Sequence, residues 1–240
     1  MSGFPDVELV FVSGAVDPRI WKHQEKYFSR DCEVHTVGGK PFQELKEELT
    51  EIIEESENAV LIGAELGNLT IQSVENHENV MSTVITGPLN QRPLLGQRLF
   101  KIWSKILKHP KFVKKVFCSK DTDYQVVKEL SYTLRETGFD VYRSFAGREL
   151  RVPVKNSLIM YNQNCRYSSM KGVEELKSNS EIALIDASTF SFFEKPQEYN
   201  KALNDYLLGK KDFLEKRELV KSASENHSLK DFEDKLGLRR

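Results

Sequence analysis

The sequence contains no run of about 20 apolar residues, the length a membrane-crossing helix needs, so no membrane span is predicted. Its first residues, MSGFPDVELVFV, lack a basic region followed by an apolar core, so no secretory signal is read there. Cysteine is scarce and odd in number. Cys32, Cys118 and Cys165 are too widely spaced for a disulfide framework or a metal-ligand pair. The five histidines (His23, His35, His77, His109, His227) are scattered, with no H-E-x-x-H or short His/Cys spacing, so no metal and no cofactor is expected. Charge of one sign is also missing: 35 basic and 36 acidic residues give a net charge of -1, which removes any global pull toward nucleic acid. These absences predict a cytoplasmic protein with reduced thiols.

What is present alternates between two periodicities. VELVFV (7–12), CEVHTV (32–37), AVLIGA (59–64), STVITG (82–87), NSLIMYN (156–162) and EIALID (181–186) read as strands. Helical spacing appears in DPRIWKHQEKYFSR (17–30), opened by Asp17 and Pro18, and in FQELKEELTEIIEES (42–56). It recurs after the glycine turn over about 66–77, in GVEELKSN (172–179), and in PQEYNKALNDYLL (196–208). This alternation predicts a three-layer α/β/α sandwich around a mainly parallel sheet of about six strands. Residues 1–87 and 151–208 form its core. Residues 88–150 read as a helical lid insertion containing LGQRLFKIWSKILKH (95–109) and DYQVVKELSYTLRETG (123–138). Residues 209–240 read as a charged helical extension whose leucines could pair with a second copy of the chain.

One stretch carries more information than its periodicity. In NAVLIGAELGNL (58–69) an apolar strand meets Gly63-Ala64-Glu65-Leu66-Gly67 and then an amphipathic run. Strand, glycine-flanked turn, helix is the layout of a nucleophile elbow, but the central residue is Glu65 rather than serine.

With these elements in place, the chain resembles the α/β-hydrolase-fold superfamily of the small, lid-bearing kind. VFVSGAVDPRIWKHQEKYFSRDCEVHTV is similar to the family's first parallel strand, its oxyanion turn and the helix and strand that follow. NAVLIGAELGNLTIQSV resembles the elbow, and VPVKNSLIMYNQNC the strand that ends at the triad acid. EIALIDASTFSFFEKPQEYNKALNDYLL resembles the closing strand, the histidine loop and the helix after it, with Glu194-Lys195-Pro196 in register. The family's two leading antiparallel strands have no counterpart ahead of this first strand. The resemblance implies that Ser13, Gly14, Ala15 and Leu66 stand at the oxyanion positions. It places Glu65 at the nucleophile position, Cys165 at the acid position and Thr189 at the histidine position. No histidine lies between His109 and His227. All three triad positions are therefore substituted.

Three functions follow. A Ser-His-Asp mechanism needs a nucleophile, a base and a group that orients the base. Without them the first reading is a catalytically degenerate protein that binds a small molecule or a protein partner in or over the old active site. The second is an ester, epoxide or haloalkane hydrolase using Glu65 as a carboxylate nucleophile. The third is an interaction scaffold whose pocket is filled by Phe190, Phe192 and Phe193. Glu65 lies at a helix start, where the dipole favours negative charge by about 0.3–1 kcal/mol. That predicts an ionised carboxylate, with Arg19 and Arg166 as candidate partners. The basic, aromatic segment 101–115 reads as a solvated lid face.

Overall fold

The computed structural model describes residues 7–87, 109–135, 139–148, 150–151, 157–165 and 180–209. The helices expected over 95–109 and 172–179, the residues from 210 onward and Arg166 lie outside them, as does most of the basic segment 101–115.

Six strands form one sheet in the order β2-β1-β3-β4-β5-β6, every neighbouring pair parallel. They are β1 (Glu8–Val12), β2 (Glu33–Val37), β3 (Ala59–Ala64), β4 (Val80–Thr86), β5 (Ser157–Asn162) and β6 (Ser180–Ile185). β3 and β5 are buried along their whole length, which is why each reads as an unbroken apolar run rather than an alternating one. The order reverses between β1 and β3, and in open α/β sheets such a switch point opens a crevice beyond the strands' carboxyl ends.

Both faces of the sheet are covered. On one lies α2 (Phe42–Glu55), whose Phe42, Leu45, Leu49 and Ile53 join Val10, Val12 and Leu61 in the core. Burial of each such side chain contributes about 1.5–3 kcal/mol. On the other face Phe11 meets Trp21 and Phe28, with ring centroids 5.1 and 6.2 Å apart. Trp21 ends a 3-10 turn (Pro18–Trp21) that leads into α1 (Lys22–Phe28). The Asp17 side chain accepts from the Arg19 amide and caps that turn, and Pro18 sits in its first positions.

Helix α3 (Gly67–Gln72) is shorter than its pattern predicts. The Ser73 and Val74 amides donate to Thr70 and Ile71, so the chain tightens into turns before residue 77. Between β4 and β5 lie α4 (Pro110–Phe117), α5 (Tyr124–Arg135) and α6 (Phe139–Arg143). Of these only α5 was legible from periodicity. The 139–148 segment docks on the first turn of α2. The Phe42 amide, which has no side-chain cap of its own, donates to Ser144 Oγ, and Phe145 packs edge-on against Phe42. α7 (Ser191–Glu194) follows β6, and residues 196–200 are helical. Contacts divide the chain into Met1–Asn200 and Lys201–Arg240. In the second unit, residues 201–209 are helical. No helix among the described residues is long and apolar enough to cross a membrane.

Candidate functional site

Every sequence-predicted site residue falls beyond the carboxyl end of a strand. Ser13, Gly14 and Ala15 follow β1, Glu65 and Leu66 follow β3, Cys165 follows β5, and Thr189 follows β6. The sheet's parallel register is what gathers loops so far apart in sequence.

The turn after β3 is sharp in its backbone. Glu65 sits at φ 54, the sole non-glycine residue with positive φ among the described residues. An L-residue held there is strained by about 1–2 kcal/mol, so the surroundings must enforce it. The Glu65 amide donates to Thr86 O at 3.2 Å, and Asn68 Nδ2 donates to the same carbonyl at 2.9 Å, tying the turn to the end of β4. Gly67 lets the turn lie against β1: a Cβ there would stand 2.0 Å from Val12 O and 3.1 Å from the Gly14 amide nitrogen. The turn after β1 and the turn after β3 are therefore in direct backbone contact. Ser13 takes no outward role. Its buried hydroxyl donates to Val16 O at 2.6 Å and closes its own loop.

The Glu65 side chain folds toward β4. Its Oε1 would lie 3.1 Å from a Cβ on Gly87, which at φ +100 is the residue that makes room for it. The residue keeps partial exposure, yet Oε1 is buried and accepts no hydrogen bond from the described residues. Burial pushes the Glu65 carboxyl well above the ordinary carboxylate range. Against the expected ionised carboxylate, burial works in the opposite direction and favours the protonated form. A six-residue helix offers a dipole worth at most about 2 kcal/mol, whereas desolvating a charge costs several. Arg19 does not supply the missing charge. It is committed to Asp17, with Nε 2.9 Å from Oδ1 and NH2 2.7 Å from Oδ2, and lies over the Tyr132 ring.

No described histidine shares a hydrogen bond or charge with Glu65, whose shift has burial as its cause. His23 packs against Phe193, His35 lies between Glu8 and Glu33, and His77 Nδ1 accepts from the Asn79 amide. The neighbour that sequence reasoning missed is Tyr142 on α6. Burial and the Glu65 carboxyl together push its phenol upward. Only the backbone path of the 139–148 segment brings it there, and no motif announces it.

Cys165 and Thr189 come together, with Sγ 3.5 Å from Oγ1 and both residues buried. Asn162 Nδ2 donates to Thr189 O at 3.0 Å and joins the two loops. Phe190, Phe192 and Phe193 are also buried. Phe192 stacks on Trp21 at 4.0 Å, and Phe190 meets Phe117 of α4 at 5.8 Å. Glu194 is a half-buried carboxyl whose affinity for a proton is raised mainly by burial. Its Oε2 accepts from the Ser119 and Ser188 amides and fastens the loop after α4 to the loop before α7.

A pH prediction follows from Glu65. Its folded form holds a proton more tightly than its unfolded form, so it contributes a loss of stability as pH rises above the ordinary glutamate value near 4.5. Glu65→Gln should therefore raise Tm at pH 7–8, by roughly 2–4 °C for each kcal/mol relieved. The gain should shrink toward pH 4.5. Thermal unfolding of both proteins between pH 4.5 and 8 checks this; a gain independent of pH would refute a neutral Glu65.

No family model matches the sequence, and no curated protein matches it either. Solved structures do match. The chain is similar to an esterase from Thermogutta terrifontis at a TM-score of 0.69 and 14% identity, over 87% of this chain and 91% of that one. It is similar to a hydrolase from Pseudomonas aeruginosa PA01 at 0.66 and 14%, over 86% and 92%. The enol-lactonase of Burkholderia xenovorans LB400 matches at 0.66 and 15%, over 86% and 94%. The chain has the α/β-hydrolase fold.

Proposed function

We propose that this chain is an α/β-hydrolase-fold protein without conventional hydrolytic activity, which binds a small molecule or a protein partner in or over the former active site. The observation that carries this reading is Glu65. It stands in the turn after β3 at φ 54 with Oε1 buried, its carboxyl pushed upward by burial, and no basic partner among the described residues. Burial disfavours the carboxylate that would attack, and Glu65 has no base among the described residues to activate a water for hydrolysing an ester intermediate. Cys165 and Thr189, at the acid and histidine positions, contact each other and offer no imidazole. The helices between β4 and β5 serve in this reading as the lid, and the charged 209–240 extension, through its leucines, as a surface for pairing with a second copy of the chain.

The buried phenylalanines favour a second reading, the interaction scaffold. Their packing against Trp21, His23 and Phe117 fills space that a substrate would need on the closing-loop side.

The test is turnover of p-nitrophenyl esters, epoxides and haloalkanes by the wild-type chain and by Glu65→Ala. The expected result is no turnover above background in either protein. Hydrolysis by the wild type that disappears in Glu65→Ala would make the protein an enzyme with a carboxylate nucleophile.

A further inference from the structure

At the opposite end of the sheet, three side chains that the elbow does not involve converge. β1 and β2 pair with Glu8 directly opposite Glu33, and His35 lies two residues beyond Glu33 on the same face of β2. His35 Nε2 stands 3.4 Å from Glu8 Oε2 and 3.4 Å from Glu33 Oε1. One donor atom from each residue lies within 4.8 Å of the other two.

We propose that Glu8, Glu33 and His35 form a binding site for a divalent first-row metal ion of the zinc type. Three observations carry it. The first is spacing. Donors bound at about 2.0–2.1 Å in a tetrahedron stand about 3.4 Å from one another, which is the separation of the imidazole nitrogen from both carboxylates. The second is charge. Two glutamates directly opposite on neighbouring strands repel, and a cation between them turns that repulsion into coordination. The third is support. Ser56, itself buried at the end of α2, donates from Oγ to Glu8 Oε2 at 2.7 Å and fixes the orientation of that carboxylate, as outer partners of metal ligands do.

The donor set selects the ion. One imidazole and two carboxylates suit zinc, cobalt or manganese better than soft copper(I), which wants sulfur. Cys32, next to Glu33 in sequence, is no competitor, because its thiol donates to Phe28 O. With side-chain exposures of 24%, 67% and 30% for Glu8, Glu33 and His35, the site leaves a position for water. This inference is independent of the proposed function, since the site lies at the amino ends of β1 and β2 and the elbow at the carboxyl end of β3.

The competing explanation for the same geometry is an imidazolium bridging two carboxylates. Titration of the full chain with Zn2+ alone, followed by calorimetry, separates the two. The expected result is one ion per chain with a micromolar Kd. Glu8→Gln, Glu33→Gln and His35→Gln should each weaken binding by more than the roughly tenfold typical of losing an outer-shell partner, and Ser56→Ala by about that tenfold. Co2+ in place of Zn2+ should give the intense visible bands of a four-coordinate ion in the wild type and lose them in His35→Gln. Glu33→Gln, at the most exposed of the three positions, keeps the test valid if His35→Gln does not fold. Absence of saturable one-to-one binding, or binding by Glu33→Gln or His35→Gln as tight as in the wild type, overturns the proposal.

Discussion

Trp21→Ala lowers stability by about 3–5 kcal/mol, the range for removing a large buried aromatic side chain. At roughly 2–4 °C per kcal/mol for a chain of this size, Tm falls by about 6–20 °C. Trp21 is fully buried and its ring contacts three others: Phe192 at 4.0 Å, Phe11 at 5.1 Å and Tyr199 at 6.2 Å. It therefore joins β1 to the closing loop and to the helical residues after it. Backbone rearrangement cannot close the resulting cavity cheaply, because Gln24 Nε2 pins that loop through Phe192 O and Asn200 Oδ1. Trp21→Phe should cost far less. It keeps most of the contact area and removes an indole N–H that is buried with no acceptor among the described residues. Thermal unfolding of the two variants checks the order; equal losses would mean that the indole N–H has a partner.

Gly67→Ala is the second large effect. The new methyl would stand 2.0 Å from Val12 O, and neither side can yield. Val12 belongs to a strand paired on both sides, and Gly67 opens the helix that fixes the elbow. Overpacking commonly costs 1–3 kcal/mol, and a backbone-to-backbone clash belongs at or above the top of that range. The expected loss is about 3 kcal/mol or more, with a corresponding fall in soluble yield. The same substitution at Gly209, where an added methyl meets nothing within 4 Å, should not lower Tm. A Gly67→Ala protein as stable as the wild type would show that the elbow does not press on β1.

The strands were legible because each is a short run rich in β-branched or apolar residues bounded by turn residues, and their parallel arrangement followed from the helices between them. The elbow was legible from Gly63 and Gly67, since the positive φ at Glu65 needs close approach on either side. What the sequence hid was partly energetic and partly a matter of tertiary register. The dipole argument makes Glu65 an anion, yet in the structure desolvation outweighs a six-residue helix. Arg19 is a plausible partner by proximity of loops, but Asp17, two residues away, claims it first. The Glu8, Glu33 and His35 grouping depends on strand register, and only the Glu33-x-His35 spacing could have hinted at it. Helices α4 and α6 escaped notice because they are short, at eight and five residues.

The uniformly parallel ladder has a consequence for how the chain reaches this state. No two neighbouring strands can close through a tight hairpin, so every pairing must await a long loop. Ile62 finds Val84 across a modest stretch of chain, but Val84 must wait for Leu158, beyond the whole segment that carries α4, α5 and α6. Loop-closure entropy makes such distant pairings slow and leaves strand edges open in the meantime. Loop-closure entropy thus places the β4–β5 pairing last among the neighbouring pairs, since β5 and β6 lie as close in sequence as β1 and β2 do. Nascent chains that stall at this stage expose the unsatisfied edge of β4, the surface on which chaperone dependence or aggregation would first show.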